Sequence, residues 1–226
     1  MSMLDRIFGT PEERKVEGIL KKVEAETSEV YGPLGNLSLG IVKATWDSYQ
    51  DVARGLGFSV EGQPTEQQML IFYELLYFFI HLTIRTAIAD GLTKTQMFKL
   101  HDYLNLSLSQ TAADTFWRHL PVEQKSRIAQ EFLEKLNIAE ADYSECRVFI
   151  VEDKPFEKDS LFGRLAYNVA QIWRSPSDPA VMKSALMAAA KVFTRMQLDN
   201  LIHDVAVVID RVKPDTLAVL RDRPWS

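Results

Sequence analysis

Apolar residues recur along this chain at steps of three and four, the period of one helix face. Val16, Ile19, Leu20, Val23, Thr27 and Val30 follow Thr10-Pro11-Glu12-Glu13, which supplies a capping threonine, a first-turn proline and a glutamate three residues after the cap. Gly32-Pro33 is expected to end this helix. A second helix is predicted from about Ser38 to Gly55, with Val42, Thr45, Trp46, Tyr49, Val52 and Ala53 inward. Thr65-Glu66-Gln67-Gln68 and Thr93-Lys94-Thr95-Gln96 both read as capping boxes, and Asp90-Gly91 lies between them. Helices three and four are therefore predicted to form an antiparallel hairpin with a very short turn, the fourth reaching Trp117.

Pro121 opens a fifth helix over Ile128, Ala129, Phe132, Leu133 and Leu136, with Asn137 as its stop. The stretch from Asn137 to Asp159 is irregular. Val148–Val151 is strand-like but has no evident partner, so it is read as extended loop or helix end. Helicity resumes at Ser160, breaks at Ser175-Pro176-Ser177-Asp178-Pro179, and continues to Lys213-Pro214 with a split near Asp199-Asn200. The pattern predicts an all-α, single-domain bundle of seven or eight helices over residues 1–226. The Thr65–Asp90 helix lies at its centre, residues 1–32 form a candidate docking helix, and 214–226 form a tail.

The chain has 226 residues, enough for a large core without staples. A net charge of −5, and basic pairs interleaved with glutamates at positions 12–24, argue against nucleic-acid binding. The single cysteine, Cys146, allows no intrachain disulfide and fits a reducing compartment. No basic stretch followed by an apolar run opens the sequence, and the expected location is the cytoplasm. Met69–Ala89 is very apolar, but Glu74, His81 and Arg85 interrupt it, so a buried helix is expected rather than a membrane span.

Those charges form the best chemical constellation. Gln67, Glu74, His81 and Arg85 are spaced by seven, seven and four residues and line one narrow stripe. The simpler reading makes this the solvent edge of a buried helix. The functional reading makes it an inward polar network that orients the head group of an apolar or lipid-like small molecule, with Arg85 pairing a carboxylate or phosphate. An acid/base role for the same residues is the enzymatic version, and it has less support.

Other patterns carry less. No Glu-x-x-His occurs, against a di-metal carboxylate bundle, and no metal or cofactor is expected. Asp199, His203 and Asp210 share a face opposite the apolar residues of their helix, which makes it a solvated face. Gly55-x-Gly57 lacks the third glycine of a dinucleotide loop and follows a helix rather than a strand. Glu152-Asp153-Lys154 mimics a nuclease signature without the sheet that signature needs. Cys146 has no neighbouring histidine in sequence.

Val16, Leu20, Val23 and Val30 make a short heptad-like seam, preceded by Met3, Leu4, Ile7 and Phe8. The leading expectation is therefore a non-enzymatic protein that binds a protein partner or itself as a homodimer through this seam. The alternative is the small-molecule binder.

Overall fold

Among the described residues, caps and breakers set off seven α-helices. The computed structural model describes residues 11–212 apart from 118, 152 and 177; before residue 31, only the side chain of Glu29 is described. The helices are α1 (Pro11–Leu56), α2 (Glu66–Ala89), α3 (Lys94–Trp117), α4 (Val122–Ser144), α5 (Leu161–Ile172), α6 (Pro179–Met196) and α7 (Leu198–Val208), followed by a 3-10 turn, Ile209–Arg211. The fold is an all-α bundle, and no strand occurs among the described residues. An isolated bridge joins Val148 to Ser160, so the Val148–Val151 segment is extended loop.

Both capping boxes form. Thr65 accepts from the Gln68 amide at 3.3 Å, while the Gln68 side chain accepts from the Thr65 amide at 2.7 Å. Thr93 and Gln96 repeat the exchange at 3.3 and 2.9 Å. Between them Gly91 turns the chain at φ +86°, a conformation cheap only without a Cβ. Asp178 caps α6 by accepting from the Ala180 amide at 2.8 Å, with Pro179 at the first helical position. Ser160 caps α5, accepting from Gly163 at 3.1 Å and donating to the Glu157 carbonyl at 2.7 Å.

Helix α2 is the centre of the bundle, as the sequence predicts, and packs against α1, α3, α4, α5 and α7. Ile71, Phe72, Leu75, Phe78, Phe79, Ile80 and Leu82 are buried around most of its circumference. One continuous hydrophobic cluster draws on all seven helices. By length and composition α2 could also cross a membrane; 72% of its most apolar stretch is buried within the fold, as the core helix of a bundle would be.

Two expected boundaries are corrected and one is located. Gly32-Pro33 does not end a helix: α1 runs through it for 46 residues, about 69 Å at 1.5 Å per residue. An interior proline costs about 3 kcal/mol. Leu34, Leu37 and Ile41, just beyond it, are fully buried on the continuing face, and each contributes about 1.5–3 kcal/mol. The apolar face outweighs the lost hydrogen bond. Asn137 does not stop α4, because it lies on the exposed side while Leu136 and Tyr143 carry the buried face to Ser144. The late split expected near Asp199-Asn200 is present, at Gln197, where φ is +49°.

The Pro33→Ala variant tests this continuity. Restoring a good helix former and its amide should stabilise the protein by about 1–3 kcal/mol, with no loss of helical circular dichroism. A neutral or destabilising result in urea unfolding would place a true helix boundary at Pro33.

Candidate functional site

The stripe on α2 is partly covered: His81 is buried, and Gln67, Glu74 and Arg85 are half-buried. It faces α4, α5 and the segment after α4, and each member meets a different part of that layer. Gln67 donates to the Ile172 carbonyl at the end of α5 (3.3 Å). Arg85 donates to the Cys146 carbonyl at 2.7 Å and lies over the Phe149 ring, 5.3 Å from its centroid. His81 is 7% exposed, with its ring tilted against that of Tyr143 at 5.6 Å. The stripe is thus neither a free solvent edge nor wholly buried: His81 is covered, and the other three are half-covered. An apolar helix surrounded by five others has no dry place for a charge except opposite hydrogen-bonding partners.

Glu74 has the richest surroundings. One of its carboxylate oxygens accepts from the Tyr143 hydroxyl at 2.6 Å and from the Asn168 amide at 2.8 Å. Asn168 also donates to Asp142 at 3.1 Å, so one amide bridges two carboxylates. Arg164 pairs with Asp142 and lies 3.5 Å from Glu145. Burial pushes the Glu74 carboxyl above its ordinary range. Its two donors oppose that rise, and the charge of Asp142 adds to it. Burial also raises the Tyr143 hydroxyl, and Glu74 beside it adds to the effect.

Two adjoining clefts open between α2 and α4. One, of about 350 Å³, is lined by Leu70, Tyr73, Glu74, Tyr77, Lys135, Ile138, Asp142 and Asn168, with Ala139 and Ile172. The other, of about 210 Å³, extends toward Met69, Trp117, Ile128 and Phe132, with Glu66 and Glu131 at its edge. They share a wall of Leu70, Tyr73, Tyr77 and Lys135. The rings are locked together, Tyr77 lying 4.9 Å and Tyr73 5.8 Å from Phe132. Tyr77 is only 5% exposed, and its hydroxyl has no hydrogen-bond partner.

No family model, no curated protein and no solved structure matches the chain. The site is therefore read from its own chemistry.

Of the four stripe residues, Glu74 lines the cleft, whereas Gln67, His81 and Arg85 key α2 to its neighbours. Glu74 and His81 both touch Tyr143 but do not converge on one cavity, so the acid/base version is not assembled. Among the described residues, no three His, Cys, Asp or Glu side chains gather as metal donors. Asp199, His203 and Asp210 are exposed. Cys146 is 2% exposed and burial pushes its thiol up, which disfavours the nucleophilic thiolate. The side chains of Val16, Leu20, Val23 and Val30 lie outside the described residues.

Sequence reasoning missed Asp142, Tyr143, Asn168, Lys135 and the role of Tyr77. Ending α4 at Asn137 placed Asp142 and Tyr143 in an irregular stretch. The step from Leu136 to Tyr143, two helical turns, was the available signal. Asn168, an amide inside the apolar run Leu165–Ile172, was another.

His81 provides a pH test. Burial, and then the charge of Arg85, hold its imidazole down to about 4, against the pull of Glu140. The unfolded chain takes up a proton near 6.5 that the folded one refuses, so stability is lost as pH falls from 6.5 toward 4. The loss expected from this group is about 3 kcal/mol. His81→Phe keeps a ring against Tyr143 and cannot ionise. Its urea midpoint should fall less than that of the parent over this range; an identical acid profile would show that His81 is not the group responsible.

Proposed function

We propose that this protein binds a small organic molecule in the paired clefts between α2 and α4. The observation that carries the reading is the pair of adjoining clefts, which share a wall of Leu70, Tyr73 and Tyr77 and have Glu74 at one end.

The surroundings support the same reading. The two clefts together fall within the range of about 300–1,000 Å³ typical of small-molecule sites. Their lining is mostly apolar and aromatic, with a few polar groups converging at the Glu74 end. An apolar body would lie against Leu70, Tyr73, Tyr77 and Phe132, while a polar atom met Glu74. This narrows the apolar-ligand expectation and moves Gln67, His81 and Arg85 from ligand contacts to supports. The docking and self-association expectation rests on the 16–30 seam, outside the described side chains.

Isothermal titration calorimetry with naphthylmethanol, an uncharged aromatic probe, tests the reading. Binding should be detectable in the micromolar-to-millimolar range. Leu70→Trp, which places an indole in the shared wall, should weaken it by about tenfold or more. Ile138→Ala, at a largely exposed position on the same cleft, should weaken it by about twofold without risk to folding. Equal affinity in the parent and both variants would place the probe elsewhere and overturn the proposal.

A further inference from the structure

Away from the α2–α4 clefts, an apolar groove of about 470 Å³ runs along the outer face of the α2–α3 hairpin. Ile84 and Ile88 of α2, Leu92 of the turn, and Met97 and Phe98 of α3 wall it. Ile88 is 59% exposed and Phe98 60%. His101 also borders the groove, but its ring nitrogen is taken by Glu140 at 2.9 Å. Single exposed apolar side chains are common on any surface; two of them flanking one groove mark a contact face.

The charges around the groove indicate what covers it. Lys94, Phe98 and Asp102 follow one another at steps of four, so they share one face of α3. The two charges stand about 6 Å to either side of the ring along the helix axis. Both are exposed, and neither enters an ion pair among the described residues. The Lys94 ammonium lies over the Phe98 ring instead, 5.8 Å from its centroid. An apolar centre with opposite charges at equal distances on its two sides is complementary to itself turned end for end.

We propose that this face docks a second copy of the chain, with the two α3 helices antiparallel across a two-fold axis at Phe98. Lys94 then meets Asp102 of the partner subunit, and Asp102 meets Lys94 of the partner subunit. Each Phe98 ring lies on the groove of the other hairpin, which removes Ile88 from water as well. A parallel alignment would set Lys94 against Lys94 and Asp102 against Asp102, two repulsions in place of two ion pairs, so the charges select the antiparallel register. Such a contact uses the same patch on both copies and closes at two. The face is separate from the 16–30 seam, and it shares no residue with the α2–α4 clefts, so the inference does not rest on the cleft reading.

Sedimentation velocity of the full chain, from about 1 to about 500 μM, tests this and should show a monomer–dimer equilibrium. Phe98→Ser, at an exposed position, should weaken association by about tenfold or more. Lys94→Glu and Asp102→Lys, both at exposed positions, each put two like-charged pairs into the interface and should each weaken it by about fivefold or more. Mixed in equal amounts, these two charge variants should dimerise with one another about as well as the parent, because both cross-pairs are then opposite in sign. Circular dichroism should be the same for all four proteins. A parent that stays monomeric over the whole range, its groove free or covered by an unrelated protein, overturns the proposal. So does a dimer indifferent to Phe98→Ser and to both charge changes, which would place the contact elsewhere. A dimer weakened by the single charge changes but not restored on mixing excludes the antiparallel pairing and overturns it too.

Discussion

Helix α2 is surrounded by five others, yet it carries Gln67, Glu74, His81 and Arg85 along one line. Each polar group taken from water costs about 1–3 kcal/mol if unpaired, whereas a satisfied hydrogen bond returns only about 0.5–1.5 kcal/mol. The asymmetry makes the stripe a constraint on docking more than a source of stability. Rotate α2 by one residue, about 100°, and Glu74 loses Tyr143 and Asn168 while Arg85 loses the Cys146 carbonyl. The apolar residues around the stripe constrain the rotation less, since those buried lie on most sides of the helix. The polar line gives the central helix one orientation, and α4 and α5 take their places against it.

That division of labour explains what can be read from the chain. Starts and stops governed by local chemistry are legible: the threonine caps at 65 and 93, the glycine turn at 91, and the Asp178-Pro179 start of α6 involve neighbours within four residues. Boundaries governed by packing are not. Pro33 and Asn137 look like terminators, and each is overridden by an apolar face that continues past it, through Leu34 and Leu37 in one case and Tyr143 in the other. The split between α6 and α7 is legible only approximately, to within two residues. Gln197 adopts a left-handed conformation that its side chain does not advertise.

The candidate site divides in the same way. Glu74 stands out in sequence as a charge inside an apolar run. Its partners Tyr143 and Asn168 lie 69 and 94 residues away, and neither is unusual in its own helix. Spacing can place four residues on one side of α2, but it carries no information about which neighbour covers that side. The solvent-edge and inward readings are therefore equally consistent with the periodicity, and only the packing of α4 separates them.

The position of α4 also accounts for the clefts. Near its start Lys125 is 5% exposed and lies 2.7 Å from Asp114 of α3. Farther along, Glu140 accepts from or donates to His101 of α3 at 2.9 Å according to the imidazole and carboxyl protonation states. At its end Tyr143 reaches Glu74 of α2. Polar ties of this kind have narrow distance limits, so α4 is held to α3 at two points and to α2 at its C-terminal end. The stretch between, which includes Ile128, Phe132 and Lys135, cannot slide inward to close on Leu70, Tyr73 and Tyr77 without breaking one of the ties. Phe132 fills part of the gap by packing on both tyrosines, and the remainder stays open. A cleft kept open by the bundle's own polar contacts asks little reorganisation of the protein when a ligand enters, and more of the interaction free energy then appears as affinity.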